Sequence, residues 1–528
     1  MFVELLIFLL TFLIAYYLYF YYKIHDFFKK RDVKFVPGIP MFGNVFQSSI
    51  LKKHLWEDVD AVYRAFPDEK YVGFIEGTVP VILIREPTLI KAITVKDFDH
   101  FVNHKDFFDK DMEPLFATSL IQMKDDRWRD MRVTLSPAFT GSKMRQMLPF
   151  MTEISKNIVD YIKDHPSNES HVDDLVRRYT VDVIASAGFG LQINSLKDRD
   201  NDFFRLGSNL FNFSYKQRVV EFLSNHCPII GKIFGLKLFS QETMDFFKNT
   251  VRDTISYREK NNVVRPDMIH LLMEATKGTL KDSDNEKDDA SFAATEEGLK
   301  SRNVTREWTA REITSQVFIF FAAGFESTAG VITMCIHELA LNPEVQEKLY
   351  QELRNFKEEH KTLTYENLSK MKYLDAVVTE TLRKWSIAIF MDRVCSKPYV
   401  LPPPREGGKP YQIRPGDIVY NMVNSIQMDE KYYPQPEVFN PDRFSDVNKA
   451  NITPTTYVPF GNGPRNCIGS RFALMELKVL ISDLVSNFKI LKSKKTSDPI
   501  RLHHNDFNIK ALGGTYVKFE PRTYNLVY

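Results

Sequence analysis

Cys467 lies in the run FGNGPRNCIG, Phe460 to Gly469, between the apolar-aromatic Tyr457-Val458-Pro459-Phe460 and a long helical pattern starting near Ile468. Gly461, Gly463 and Gly469 allow backbone conformations closed to other residues and a close approach to a large planar ligand. A cysteine near a helix N-terminus has its thiolate favoured by free N–H groups and by the helix dipole. Such a sulfur can be the axial ligand of a haem iron, pushing electron density onto it in favour of O–O cleavage. Arg465, two residues earlier, is placed to pair with a propionate of that ligand. A lone cysteine is more often a small buried apolar residue, so the rest of the chain has to decide.

Three further groupings carry chemistry. Ala323-Gly324-Phe325-Glu326-Ser327-Thr328 puts a glycine, an acid and two hydroxyls inside an otherwise apolar helical run. That reads as a local opening where a ligand sits, against the alternative of a packing glycine with satisfied hydroxyls. Glu380 and Arg383, three apart, share a helix face and can form a bidentate pair, although an E-x-x-R is by default a surface pair worth little. Trp128 and Arg132, four apart, place an indole beside a guanidinium, a common surface arrangement taken alone.

These residues need helices to hold them. Periodicity predicts helices over 125–139, 143–164, 172–187, 243–261, 309–341 and 371–385, with Asn342-Pro343 restarting a helix in N-cap order. Alternation over 70–74 and 79–84 around Glu76-Gly77-Thr78 predicts a β-hairpin. The Phe-rich stretch 101–123 reads as loop with short helical pieces. The acid-rich 281–302 reads as a solvated loop without the Gly-centred spacing of a calcium site.

Phe2 to Tyr22 is mostly apolar and, at about 20 residues, long enough to span a bilayer. Lys23, Lys29, Lys30, Arg31 and Lys34 follow, which puts the bulk of the chain on the cytosolic side. The run is too long for a signal peptide and lacks a basic start and a small-x-small cleavage site. Pro37-Gly38-Ile39-Pro40 then predicts a stiff hinge. The formal charge of +2 leaves no nucleic-acid footprint. Cys227, Cys335, Cys395 and Cys467 are far apart, which fits a reducing compartment. Forty-two Phe suit a large apolar core or cavity.

Phe460, Gly463, Arg465, Cys467 and Gly469 together reproduce F-x-x-G-x-R-x-C-x-G, and the chain resembles the cytochrome P450 family on that signature. Arg471-Phe472-Ala473-Leu474-Met475 is most similar to the microsomal branch containing vertebrate drug-metabolising and insect detoxifying members. The resemblance runs from about residue 50 to near the C-terminus. It implies a mainly α fold with a small β-rich lobe, plus one N-terminal transmembrane helix. The implied layout is an anchor at 1–22, a basic and proline-rich hinge at 23–45 and a haem-thiolate monooxygenase domain at 46–528. Cys467 is then the iron ligand of haem b in a loop shaped by Phe460, Gly463 and Gly469. Trp128, Arg132, Arg393 and Arg465 hold propionates. Glu326, Ser327 and Thr328 deliver protons, with Ser327 standing where the family has threonine. Glu380, Arg383 and Arg443 form a structural network, Arg443 lying in a P-D-R-F where the family has P-E-R-F. By position, Ser119, Leu120, Ala322, Ala323, Ala388 and Ile389 line the substrate pocket.

The implied activity is insertion of one oxygen atom of O2 into a lipophilic substrate, chiefly xenobiotic, at the endoplasmic reticulum membrane facing the cytosol. NADPH supplies electrons through a flavoprotein reductase, with cytochrome b5 as a second donor, and Arg127, Arg129 and Lys478 are the expected docking cations. The alternatives are a dedicated hormone, terpenoid or fatty-acid hydroxylase, a haem-thiolate isomerase, and a non-catalytic haem sensor.

Overall fold

Alternation over 70–84 produces a hairpin in which Tyr71–Glu76 pairs antiparallel with Val79–Ile84, Tyr71 opposite Ile84 and Glu76 opposite Val79. Gly77, at φ +61°, makes the turn. The computed structural model describes residues 2–210, 214–226, 228–276, 306–360, 362–504 and 508–522. The expected loop at 281–302 and Cys227 lie outside them. The chain divides into two compact units, one of 1–105, 389–426 and 454–456, the other of 106–388, 427–453 and 457–528.

In the first unit the hairpin extends to four strands. Val79–Ile84 runs parallel to Ile418–Met422, which pairs antiparallel with Phe390–Val394. Alternate residues Val72, Phe74, Val81, Leu83, Tyr420 and Met422 bury one face against Val59, Val62 and Tyr63 of the helix Leu55–Arg64. The apolar N-terminal helix is long enough to cross a membrane, with a mean hydropathy of 2.1 over its most apolar 18 residues, of which only 6% are buried. It passes through Tyr22 without a break and ends at Lys29. Phe20, Ile24 and Phe28 are buried, and Phe28 lies on Gly73, where a Cβ would come within 2.6 Å of its ring. The stretch expected to be a hinge is fastened to the hairpin. Asn44 Nδ2 donates to Val36 O (3.0 Å), and Asn44 Oδ1 accepts from Ile75 N–H (2.7 Å). Gly43, at φ +64°, permits this approach, since a Cβ would lie 2.1 Å from Ile75 O.

The second unit is helical, with a three-stranded antiparallel sheet in which Tyr516–Pro521 lies between Ser170–His171 and Phe488–Lys492. Its longest element is the helix Ala310–Leu341, begun by a capping box between Thr309 and Glu312. That helix is also apolar enough to span a membrane, but it is 72% buried and is a core helix. The predicted 125–139 helix is α only over Asp125–Leu135 and tightens to a 3₁₀ turn over Ser136–Phe139. Pro137 has no N–H to continue the α ladder. Much of the phenylalanine content is explained by rings packed from one helix to the next, as in Phe189–Phe203 at 5.1 Å and Phe247–Phe321 at 4.6 Å.

Candidate functional site

The cysteine loop closes on itself. Cys467 N–H donates to Phe460 O (2.8 Å), Asn466 N–H to Gly463 O (2.9 Å) and Gly461 N–H to Val458 O (3.0 Å). Gly461 and Gly463 sit at φ +78° and +72°, where a side chain would be strained. The helix Ser470–Asn487 starts three residues after Cys467. The thiol has an exposed surface but is set deep in the unit. Loss of solvent raises its pKa more than the Gly469 N–H and Arg132 lower it. The expected thiolate preference at a helix terminus is therefore outweighed by desolvation. A thiol in this position ionises when a metal replaces its proton. Among the described residues no group of three His, Cys, Asp or Glu is gathered to hold a metal. An iron held here must bring its other donors with it, as a porphyrin iron does. The donor set fits haem.

Trp128, Arg132 and Arg465 converge beside this loop. The Arg465 guanidinium lies 3.9 Å from the Trp128 ring centroid and donates to Leu120 O (3.2 Å) and Met123 O (2.7 Å). Arg132 donates to Asn466 O (2.8 Å) and Asn466 Oδ1 (2.5 Å). Burial pulls the Arg132 pKa down to about 10, and Cys467 opposes that. Arg393 belongs to the other unit, where it is buried and donates to Asp392 O. Its Nε has no partner among the described residues.

The helix Ala310–Leu341 meets the cysteine loop through Phe139. That ring is 5.4 Å from Phe320 and 3.8 Å from where a Cβ on Gly469 would lie. Phe320, Ala323 and Ser327 share one helix face. Ala323 is exposed there, and the Ser327 hydroxyl donates to Ala323 O. Thr328 is buried. Glu326 turns to the Val172–Ile184 helix, where Arg177 Nε donates to its Oε2 (3.0 Å). The three expected proton carriers thus point three ways. No break opens at Gly324. The helix is continuous, and a Cβ at Gly324 would come within 2.7 Å of Ile184, so this is the packing glycine of the alternative reading.

Of the pocket candidates, Ala323 is exposed, Ala388 half-buried, and Ser119, Leu120, Ala322 and Ile389 buried, Ile389 in the other unit. Ser119 Oγ is bound to Phe116 O (2.6 Å). Leu120 is a strut whose N–H donates to Gln316 Oε1 (2.8 Å) while its carbonyl holds Arg465. Gln316 also reaches Thr118 O (3.0 Å), so the segment before Met123 is clamped between the long helix and the cysteine loop.

Glu380 and Arg383 are fully buried and bidentate, at 2.7 and 2.8 Å. Arg383 also donates to Gln427 O (2.9 Å) and Pro436 O (2.7 Å), and Arg443 Nε approaches Glu380 Oε1 at 3.5 Å. Gln427 carries this cluster to the cysteine loop. It donates to Leu382 O and Arg383 O and accepts from Val458 N–H (3.0 Å). Gln316, Gln427, Asn466 and Arg177 were not singled out from sequence. Lys478 cannot be a docking cation, because it is buried and paired with Asp375 at 2.8 Å. Arg127 is half-exposed and tied to Glu312 (2.5 Å), and Arg129 is 3.9 Å from Asp126.

Comparison with known proteins matches the cytochrome P450 family model to residues 34–516. The chain is 41% identical over 511 residues to "Probable cytochrome P450 9f2" of Drosophila melanogaster, covering 94% of this chain and 95% of that one. It is 38% identical to "Cytochrome P450 9e2" of Blattella germanica over 94% of both chains. With "Cytochrome P450 6j1" of the same species the identity is 32%, over 93% of both.

Proposed function

The chain belongs to the cytochrome P450 family and is a monooxygenase oxidoreductase using haem iron with a cysteine thiolate ligand, and we propose that its substrates are lipophilic small molecules, chiefly xenobiotics. In this reading NADPH supplies two electrons through a flavoprotein reductase, with cytochrome b5 as a second donor. One substrate, one O2, two electrons and two protons give one hydroxylated product and one water.

The observation that carries the site assignment is the convergence of Trp128, Arg132 and Arg465 on the loop of Cys467. Cys467 would hold the iron, and the guanidinium and indole N–H groups would hold the propionates. Bound haem supplies the centre at which O2 is reduced and cleaved. Ser327 lies on the exposed Ala323 face, and its hydroxyl, on turning from Ala323 O, would be the group there able to hold a water or a proton for the site. Thr328 is buried in the helix packing and is the weaker donor. Small Ala323 leaves room for bulky apolar substrates on that face. The apolar helix followed by Lys23, Lys29, Lys30 and Arg31 supports anchoring in the endoplasmic reticulum with the rest cytosolic. Arg127 and Arg129 remain as candidate reductase contacts.

The test is the reduced carbon monoxide spectrum together with turnover of xenobiotic, steroid, terpenoid and fatty-acid probes. The red-shifted Soret band of thiolate ligation is expected in the parent and not in Cys467→Ala. Product should require reductase and NADPH. The same band in Cys467→Ala removes the ligand assignment, and product without reductase removes the electron route.

A further inference from the structure

The segment from Asp106 to Lys124 is a loop closed at its base. Lys124 Nζ meets Asp106 Oδ2 (2.7 Å), and Gln122 Oε1 accepts from Phe107 N–H (3.3 Å). The base is also tied to the long helix and the cysteine loop. Thr118 Oγ1 lies 2.7 Å from Ser315 Oγ, and Leu120 binds both Gln316 and Arg465. The tip is held in another way. Glu113, 4% exposed, accepts with one oxygen from Leu238 N–H (2.6 Å) and Phe239 N–H (3.2 Å). Lys232 reaches back to Asp109 (3.0 Å) and Asp111 (3.1 Å). Between these polar ties the Phe116 and Phe239 rings stack at 5.8 Å, with Phe108 4.7 Å from Phe116. Amides, hydroxyls and a guanidinium thus hold the site end of the loop, while a buried carboxyl holds its tip.

We propose that Glu113 is a proton-operated latch, closing the tip of this loop on residues 232–239 while protonated and releasing it on ionising. A protonated carboxyl can stay in an apolar seat with its carbonyl oxygen accepting the two amides. A carboxylate there has given up its water for two N–H bonds, and opening the loop returns that water. Burial pushes the Glu113 pKa up to about 7, against the pull of the Phe239 and Leu238 N–H groups and Lys237. With the closed value above the ordinary one, closure has its full support below about 4.5 and loses it as pH rises through 7. One proton is involved, so opening grows by at most about tenfold per pH unit within that window and levels off above it. The charged groups on the joined segments are Asp109, Lys110 and Asp111 on the loop and Lys232 and Lys237 across from it. The long helix meets the loop with Ser315, Gln316 and Phe318, none of which ionises. Burial raises the Asp109 pKa, but the Asp111 N–H and Lys232 bring it below its ordinary value, so the Lys232 tie stays charged across the window. In the monooxygenase reading, on which this consequence rests, the latch makes admission of apolar molecules depend on pH, because the loop carries Leu120 beside Arg465.

The test is hydrogen exchange of the full-length haem protein in lipid from pH 5.5 to 8, corrected for the intrinsic pH dependence of exchange. It is read on peptides covering 107–117 and 236–240, with the strand Phe488–Lys492 as internal control. In the parent, exchange at the Leu238 and Phe239 amides should rise about tenfold or more across this range while the control stays level. Glu113→Gln should protect those amides at pH 8 as the parent does at pH 5.5. Lys232→Gln should raise exchange by one factor at every pH and leave the slope intact. Exchange at 236–240 that ignores pH in the parent, or follows it equally in Glu113→Gln, overturns the latch. Should Glu113→Gln fail to fold, the pH profiles of the parent and Lys232→Gln still decide. The same samples give the rate at which 7-ethoxycoumarin shifts the Soret band. Faster binding at pH 8 than at pH 5.5 in the parent, with equal rates in Glu113→Gln, supports admission past this loop. If exchange follows pH and the binding rate does not, the admission role is wrong. Absence of a thiolate haem band removes the monooxygenase reading, while the exchange result judges the latch by itself.

Discussion

Arg383→Met tests whether the buried cluster at Glu380 supports the cysteine loop. The substitution removes two bonds to Glu380 and the donors to Gln427 O and Pro436 O, at distances of 2.7 to 2.9 Å. Glu380 is wholly buried, so it becomes a charge with only the Asn440 N–H (2.9 Å) and the more distant Arg443 for partners. Breaking a buried pair by removing one member costs about 3–5 kcal/mol. Two stranded carbonyls add about 1–3 kcal/mol each where water cannot reach them. The terms overlap, and a loss of roughly 5 kcal/mol is expected against a typical stability of about 5–15 kcal/mol. The assay is haem retained per protein during urea unfolding, read from the Soret band. Arg443→Gln removes a 3.5 Å approach to Glu380 and an exposed bond to Gln435 O (2.7 Å) from a residue nearer the surface, and should cost about 1–2 kcal/mol. Adding Glu380→Gln to Arg383→Met should restore part of the loss, because the uncompensated charge is gone. Arg383→Met unfolding within 1 kcal/mol of the parent, or a double variant worse than the single one, would refute the reasoning.

Ser327→Ala should keep haem and substrate binding but spend NADPH on peroxide, Thr328→Ala should do so less, and Ser327→Thr should keep or improve coupling. A coupled Ser327→Ala beside an uncoupled Thr328→Ala would put the active face of the helix one residue later. Deleting 1–22 should release most of the protein from membranes with its carbon monoxide band intact. Deleting 1–29 also takes Phe28 from Gly73 and should cost about 3–5 kcal/mol more, and equal stability of the two truncations argues against that packing. Buried Glu113 accepts the N–H groups of Leu238 (2.6 Å) and Phe239 (3.2 Å). Burial pushes its pKa up from 4.5 to about 7, against the pull of those amides and Lys237. With the folded value raised, its stabilising share is complete below about 4.5 and is lost as pH climbs through 7. Glu113→Gln keeps an acceptor and cannot ionise, so it should melt with the parent at pH 5 and above it at pH 8; lower stability at pH 8 sinks the argument.

The parts legible in the sequence were those whose physics is local. The hairpin follows from alternation, the long helix from apolar periodicity and its cap, and the cysteine loop from glycines and a cysteine within ten residues. Glu380 and Arg383 share a face by spacing, but nothing in that spacing separates a fully buried pair from a surface one. Their burial depends on Gln427 and Pro436, far along the chain. Gln316 and Asn466 were missed for the same reason, since a single amide acquires meaning only when the backbone it clamps is folded beside it. Two local arguments were outweighed by distant packing. The helix terminus favours the Cys467 thiolate, yet desolvation raises the pKa. Lys478 is charged, but its position on the helix Ser470–Asn487 turns it inward to Asp375.

The segment Ala323–Thr328 combines both outcomes in one turn and a half. Glu326 and Ser327 are adjacent and project about 100° apart, so the acid and the hydroxyl cannot face one point equally. Gly324 admits Ile184, Glu326 goes to Arg177, and Ser327 stays on the face of Ala323 and Phe320. The same residues that resemble one motif are thus three separate contacts. The packing of Gly324 against Ile184 is one of the contacts that set the rotation of the helix, beside Glu326 on Arg177 and Phe321 on Phe247. A larger residue at 324 would have to displace Ile184, which a Cβ alone approaches to 2.7 Å. The atom approached is Ile184 Cδ1, the end of a flexible side chain, so Gly324→Ala should be absorbed by Ile184 and leave the Ser327 hydroxyl on its face. Only a residue long enough to reach past Ile184 Cδ1 would press on the neighbouring helix and, through it, on the direction of Ser327.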